Sequence, residues 1–181
     1  EFAKTVGDVD TLAGLRDKLR EQLLQRKTRE QEAGLKRSLM EKLVKQHEIA
    51  MPDALVDRET GSVLEELAMT LRAGGRIEGL PEEPEALRAK ARETAERRVK
   101  ESLLLEAVAK QEGLTVSDAE IDAEIGKMAG VYRQDAAAMR RAMEDPTRRA
   151  GLAARLGERK ALDFLLQQAV VTDAYRLIQP A

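Results

Sequence analysis

Leu12, Leu15, Leu19 and Leu23 recur at helical spacing, with Asp10 or Thr11 standing where an N-cap is needed. A second stripe follows in Leu35, Leu39 and Leu43, flanked by Met40 and Val44. Between the two stripes, residues 25–32 carry no large apolar side chain and no helix breaker. The pattern predicts one helix from Thr11 to Gln46, about 54 Å long at 1.5 Å per residue. A compact globule of this chain length is only about 40 Å across. The expectation is an elongated molecule with a hydrated waist.

A second helix is expected from Pro52, with Leu55, Val56, Val63, Leu64, Leu67, Ala68 and Leu71 on a broad apolar face. It stops at Ala73–Gly74–Gly75, a glycine termination signal. Gly61 inside it reads as a kink or a close contact. Residues 75–84 form the clearest loop and place Ile77 and Leu80 in a polar setting. A third helix runs from Pro84 to Gln111 and ends at Gly113. A fourth opens on a capping box of Ser117 and Glu120, with Val116 able to staple onto Ile121. Asp135 starts a short fifth helix with Met139 and Met143. Asp145–Pro146 opens a sixth with Leu152, Leu156, Leu162 and Leu165. No strand is predicted, and residues after Thr172 are too few to assign. The expected fold class is all-α: a multi-helix domain with one long helix, in which helices two to three and four to six read as two hairpin-type helical arms.

Composition sharpens this. Of 181 residues, 43% are apolar, 35% charged and only 2% aromatic. Four aromatic residues cannot form a base-stacking platform, and a net charge of −2 supplies no basic surplus for phosphate, so no nucleic-acid partner is expected. The absence of Cys removes disulfides and thiolate chemistry, and a lone His47 removes histidine clusters. His47 reads as a C-terminal helix residue. No apolar run approaches a membrane span, and residues 1–4 do not read as a signal peptide.

Asp118, Glu120, Asp122 and Glu124 form an acidic cluster, read as first-turn acids stabilised by the helix dipole rather than as metal ligands. Gly126 and Gly130 allow a close helix contact but follow no strand, so they form no phosphate loop. The basic runs Arg26–Arg29, Arg97–Arg98 and Arg140–Arg141 have acids beside them and read as solvated faces. No catalytic constellation, metal site or cofactor motif emerges. Met51, Met69, Met128, Met139 and Met143 stand where arms are expected. Methionine fills cores, yet it also recurs on adaptable binding surfaces.

Three segments carry a family resemblance. Residues 95–123 read AERRVKESLLLEAVAKQEGLTVSDAEIDA, the opening reads EFAKTVGDVDTLAGLRDKLREQL, and residues 40–59 read MEKLVKQHEIAMPDALVDRE. In that order they resemble the carboxy-terminal chaperone domain of bacterial trigger factor, over roughly residues 2–171. The LTVSDAEID segment also resembles periplasmic folding factors. The resemblance implies a single domain over residues 1–181: a long body helix (1–50), a first arm (51–112), a second arm (113–145), and a return helix with tail (146–181).

The resemblance also implies an ATP-independent, cytoplasmic chaperone module that cradles unfolded or nascent chains. Ribosome docking and prolyl isomerase chemistry would belong to domains absent from this chain, which is therefore not expected to be an enzyme. Client contact is expected from Met51, Leu55, Met69, Ile77, Leu80, Ile125, Met128, Tyr132, Met139 and Met143. An exposed cradle can also self-associate, which allows a homodimer. The alternatives are a helical scaffold that docks one folded partner, and a periplasmic folding factor.

Overall fold

The computed structural model describes residues 11–81, 83–132 and 135–171, with Tyr132 described by its backbone alone. Among these residues there are six helices and no strand. They are α1 (Leu12–Gln46), α2 (Asp53–Arg72), α3 (Pro84–Gln111), α4 (Asp118–Tyr132), α5 (Ala136–Ala142) and α6 (Pro146–Gln168). The chain divides into two compact units, Glu1–Lys42 and Leu43–Ala181.

Among the described residues the first unit holds α1 up to Lys42. Thr11 caps it, its hydroxyl accepting from the Gly14 N–H at 3.0 Å. Asp10, the alternative cap, lies outside the described residues. The helix is continuous through the polar stretch 25–32, as expected. Pairs spaced i,i+4 sustain it: Arg26 meets Glu30 at 2.7 Å and Lys36 meets Glu32 at 2.7 Å. Leu15 and Met40 are its buried residues. The expected leucine stripe is otherwise open, since Leu12, Leu19 and Leu23 are exposed, as is Leu24.

In the second unit, α2 packs along α3, α3 along α6, and α4 against both α5 and α6. Local chemistry sets the ends of these helices. After α2, Gly74 takes a φ of 77°. The Gly74 N–H bonds the Leu71 carbonyl and the Gly75 N–H bonds the Thr70 carbonyl, each at 3.0 Å. That pair of bonds is a Schellman closure, and it requires the left-handed residue that glycine supplies without strain. The same closure ends α3 at Gly113. The α4 capping box forms as predicted: the Ser117 N–H donates to Glu120 Oε2 at 2.9 Å, and Ser117 Oγ accepts from the Glu120 N–H at 3.4 Å. Asp135 and Asp145 cap α5 and α6.

Two glycine readings are corrected. Nothing lies within 4 Å of a Cβ built on Gly126 or Gly130, so neither marks a close helix contact. Gly61 likewise faces open space inside an uninterrupted α2. A glycine spacing read from sequence does not reveal whether a neighbouring helix approaches that face.

Candidate functional site

Two hydrophobic clusters in the second unit differ in kind. The α4–α6 cluster contains Ile121, Ile125, Ala129, Met139, Leu152 and Leu156. The α2–α3 cluster is thin: Val63, Ala91 and Ala95, with Leu64 and Leu67 packed at its edge. Alanines at 2% and 0% exposure on α3 place two helix backbones close together with little side chain between them.

Arginines reinforce that thin seam. Arg92 reaches Asp57 at 2.7 Å and Asp53 at 3.2 Å, and Arg98 reaches Glu66 at 2.9 Å and Glu59 at 3.1 Å. The hydrogen bonds from Arg98 hold the Glu66 carboxyl below its ordinary pKa. A comparable zipper joins α4 to α6. Arg149 bridges Asp118 and Asp122, Arg159 meets Glu124, and Lys160 meets Glu120. The acidic cluster is thus committed to basic side chains across the interface. Among the described residues no group of three or more His, Cys, Asp or Glu is placed to hold a metal ion.

The leftover apolar surface gathers in grooves. One of about 300 Å³ opens between α2, α3 and the loop joining them, lined by Val63, Leu67, Leu87 and Ala91 with Ile77 and Leu80 of the loop. Its rim is polar, with Glu66, Glu78, Lys90 and Arg98. A second groove of about 530 Å³ lies among α2, α3 and α6 and includes Leu55, Leu103 and Leu105 beside Arg58 and Arg155. A third, of about 470 Å³, is mostly polar, with Ile125 and Met143 among Asp122, Arg140, Glu144 and Arg149.

The structure sorts the residues expected to contact a client. Ile77 and Leu80 come together in the hairpin groove, and Leu55 lines the second groove. Met69 stands 65% exposed on α2, with Leu71 also exposed nearby, and Met51 is half-buried just before that helix. Ile125 and Met139, at 1% and 9% exposure, lie in the α4–α6 core, which leaves little of either side chain open to a ligand. Met128 and Met143 are half-buried against the same core. The Tyr132 side chain lies outside the described residues. Sequence reasoning missed Leu67 and Leu87 as groove residues. Their signal was position, since they flank the glycine loop on the two helices that meet there.

The family model described as bacterial trigger factor protein (TF) C-terminus matches residues 11–167. The chain belongs to this trigger factor C-terminal family. It is 37% identical over 173 residues to trigger factor of Bacillus subtilis, covering 92% of this chain and 40% of that protein. It is 34% identical over 177 residues to trigger factor of Geobacter sulfurreducens, covering 96% of this chain and 41% of that protein. The chain therefore spans about two fifths of the length of these relatives.

A solved structure of trigger factor from Thermotoga maritima, in a study of its domains and their interactions, matches with a TM-score of 0.60 at 24% identity. The match covers 78% of this chain and 84% of that one, and it shows a shared fold. The trigger factor C-terminal match is to the part of the family outside the isomerase domain. No helix among the described residues is long and apolar enough to cross a membrane.

Proposed function

We propose that this chain is an ATP-independent chaperone module that binds apolar segments of unfolded or nascent polypeptides and keeps them from aggregating. The observation that carries the reading is the α2–α3 hairpin. Near the loop its helices meet through Val63 and two alanines bridged by arginines, which leaves Leu67 and Leu87 on a groove walled by the loop's Ile77 and Leu80, and Met69 stands exposed on the same helix as Leu67. Flexible aliphatic and thioether side chains adapt to many partners, whereas a rigid aromatic anchor favours one. A charged rim keeps the loaded complex soluble. Membership of the trigger factor C-terminal family supports the same role. The parent protein is proposed to be cytoplasmic, with ribosome docking and prolyl isomerisation supplied by its other domains.

The test is aggregation of a chemically denatured client, followed by light scattering with this chain in several-fold molar excess and no nucleotide. Suppression that ATP does not alter is expected. Aggregation at the rate of the control would contradict the reading and favour a scaffold that docks one folded partner.

A further inference from the structure

Helices α2 and α3 are joined by the eleven residues 73–83. Antiparallel helix pairs need only about 2–5 residues to connect. The surplus folds back on the hairpin and is anchored at two points. At its base, the Gly75 N–H bonds the Thr70 carbonyl at 3.0 Å. A Cβ at Gly75 would fall 2.8 Å from Thr70 Cγ2 and 2.9 Å from its carbonyl oxygen, so the base lies as close to α2 as glycine permits. At the far end, Lys90 Nζ donates to the Gly79 carbonyl at 2.7 Å, and Gly79 holds a φ of 66°. Between these anchors Ile77 and Leu80 are half-buried and form one wall of the 300 Å³ groove, facing Leu67 and Leu87.

The two anchors are unequal. The base is a closed helix terminus. The far end is one exposed hydrogen bond to a lysine, which water replaces at little cost.

We propose that residues 75–81 are a displaceable internal plug, in which Ile77 and Leu80 hold the place of a client. This rests on the client-binding reading of the hairpin groove and names its regulation and its ligand. The seated loop shows what the groove accepts: two aliphatic side chains three positions apart, on a backbone that offers a carbonyl to Lys90. A client segment with that pattern takes over both the apolar contacts and the lysine bond, and the loop swings out from its Gly74–Gly75 base. The apparent affinity is then the intrinsic affinity multiplied by the fraction of molecules in which the plug is open. In the idle molecule the seated loop covers part of the apolar helix faces, which limits self-association.

The probe is a fluorescein-labelled peptide copying residues 75–81, Gly-Arg-Ile-Glu-Gly-Leu-Pro, titrated by anisotropy against the whole chain. Three forms are compared: the parent, Ile77→Ser with Leu80→Ser, which removes the plug's own side chains, and Gly79→Ala, which strains the positive φ and leaves the helix walls of the groove intact. The peptide should bind the double variant about tenfold more tightly than the parent, and Gly79→Ala by about two- to fivefold. A peptide with serine in place of both aliphatic residues should bind none of them. Equal affinity for all three forms, no binding to either variant, or equal binding of the serine peptide overturns the plug. Gly79→Ala decides the matter if the double variant fails to fold, as checked by circular dichroism. Aggregation assays on the same forms separate the two ideas. Suppression that persists while peptide affinity stays flat sinks the plug alone. Absence of suppression in all forms sinks the client reading, and the peptide titration still decides the plug.

Discussion

The α2–α3 hairpin and the α4–α6 bundle belong to one compact unit but use their apolar residues in opposite ways. The bundle consumes them: Ile121, Ile125, Met139, Leu152 and Leu156 are buried together. Towards its connecting loop the hairpin's core is Val63, Ala91 and Ala95 with Leu64 and Leu67 at the edge, whereas at the other end of the pair Val56, Val99, Leu104 and Leu105 are buried. Both are laced by ion pairs. In the bundle these pairs flank a filled core, whereas near the hairpin loop they accompany a core of small residues. A helix pair that relies on alanine contact and arginine bridges can keep large aliphatic side chains available for another chain. That division locates the proposed binding surface, and it can be broken experimentally.

The largest expected effect is in the bundle. Ile125→Ala should cost about 3 kcal/mol, because a filled core collapses poorly around a cavity. In the hairpin, Val63→Ala removes two carbons where Ile125→Ala removes three, and it should cost about 1.5 kcal/mol. Urea unfolding followed by circular dichroism measures both, and equal losses would erase the distinction between the clusters. In size, Ala95→Leu falls between the two. At 0% exposure this alanine has no room for added carbons, so overpacking should cost about 2 kcal/mol in the same assay. A neutral result would mean that the helices are not in close contact there.

Arg98→Ala should be milder, about 1 kcal/mol, since its partners are partly solvated. Because partly exposed pairs are screened by salt, the loss should shrink in 1 M NaCl. A loss unchanged by salt would assign Arg98 a packing role instead.

The smallest effect is on pH dependence. Lys160, the Ser117 N–H and the Ser117 hydroxyl together hold the Glu120 carboxyl at about 2, against an ordinary 4.5. A depressed folded-state pKa gives stabilisation that is complete above the unfolded value and lost as pH falls from about 4.5 towards 2. Glu120→Gln should therefore flatten part of the acid-induced loss of stability in that window and change nothing near pH 7 beyond a fixed offset. An unchanged acid slope would show that the Lys160 contact contributes little.

Much of the fold was legible because helix ends are written locally. Ser117 with Glu120, Asp135, Asp145–Pro146 and the Gly74–Gly75 pair each contain both partners of the bonds that start or stop a helix. Even there the register slips slightly, since Pro52 is the N-cap of α2 rather than its first residue. What the sequence left hidden is non-local. The acids of α4 looked like dipole acids because their partners, Arg149, Arg159 and Lys160, lie on a helix that begins well over a dozen residues later. Helical spacing placed Ile125 and Met139 on apolar faces. Which face met another helix and which met solvent depended on packing that spacing does not encode. Ile77 and Leu80 were legible as candidates because aliphatic side chains in a glycine-rich loop have no helix face to join.

The central claim is that clients meet the hairpin and not the bundle. Because the chain has no cysteine, single cysteines carrying a photocrosslinker can be placed at Met69 and Leu87 on the hairpin and at Val131 and Met143 on the bundle. Met69 and Val131 are comparably exposed, at 65% and 77%, so exposure alone cannot produce a difference between them. With a denatured client present, cross-links from positions 69 and 87 should exceed those from 131 and 143 several-fold. Equal yields at the four positions, or a greater yield from the bundle, would contradict the account.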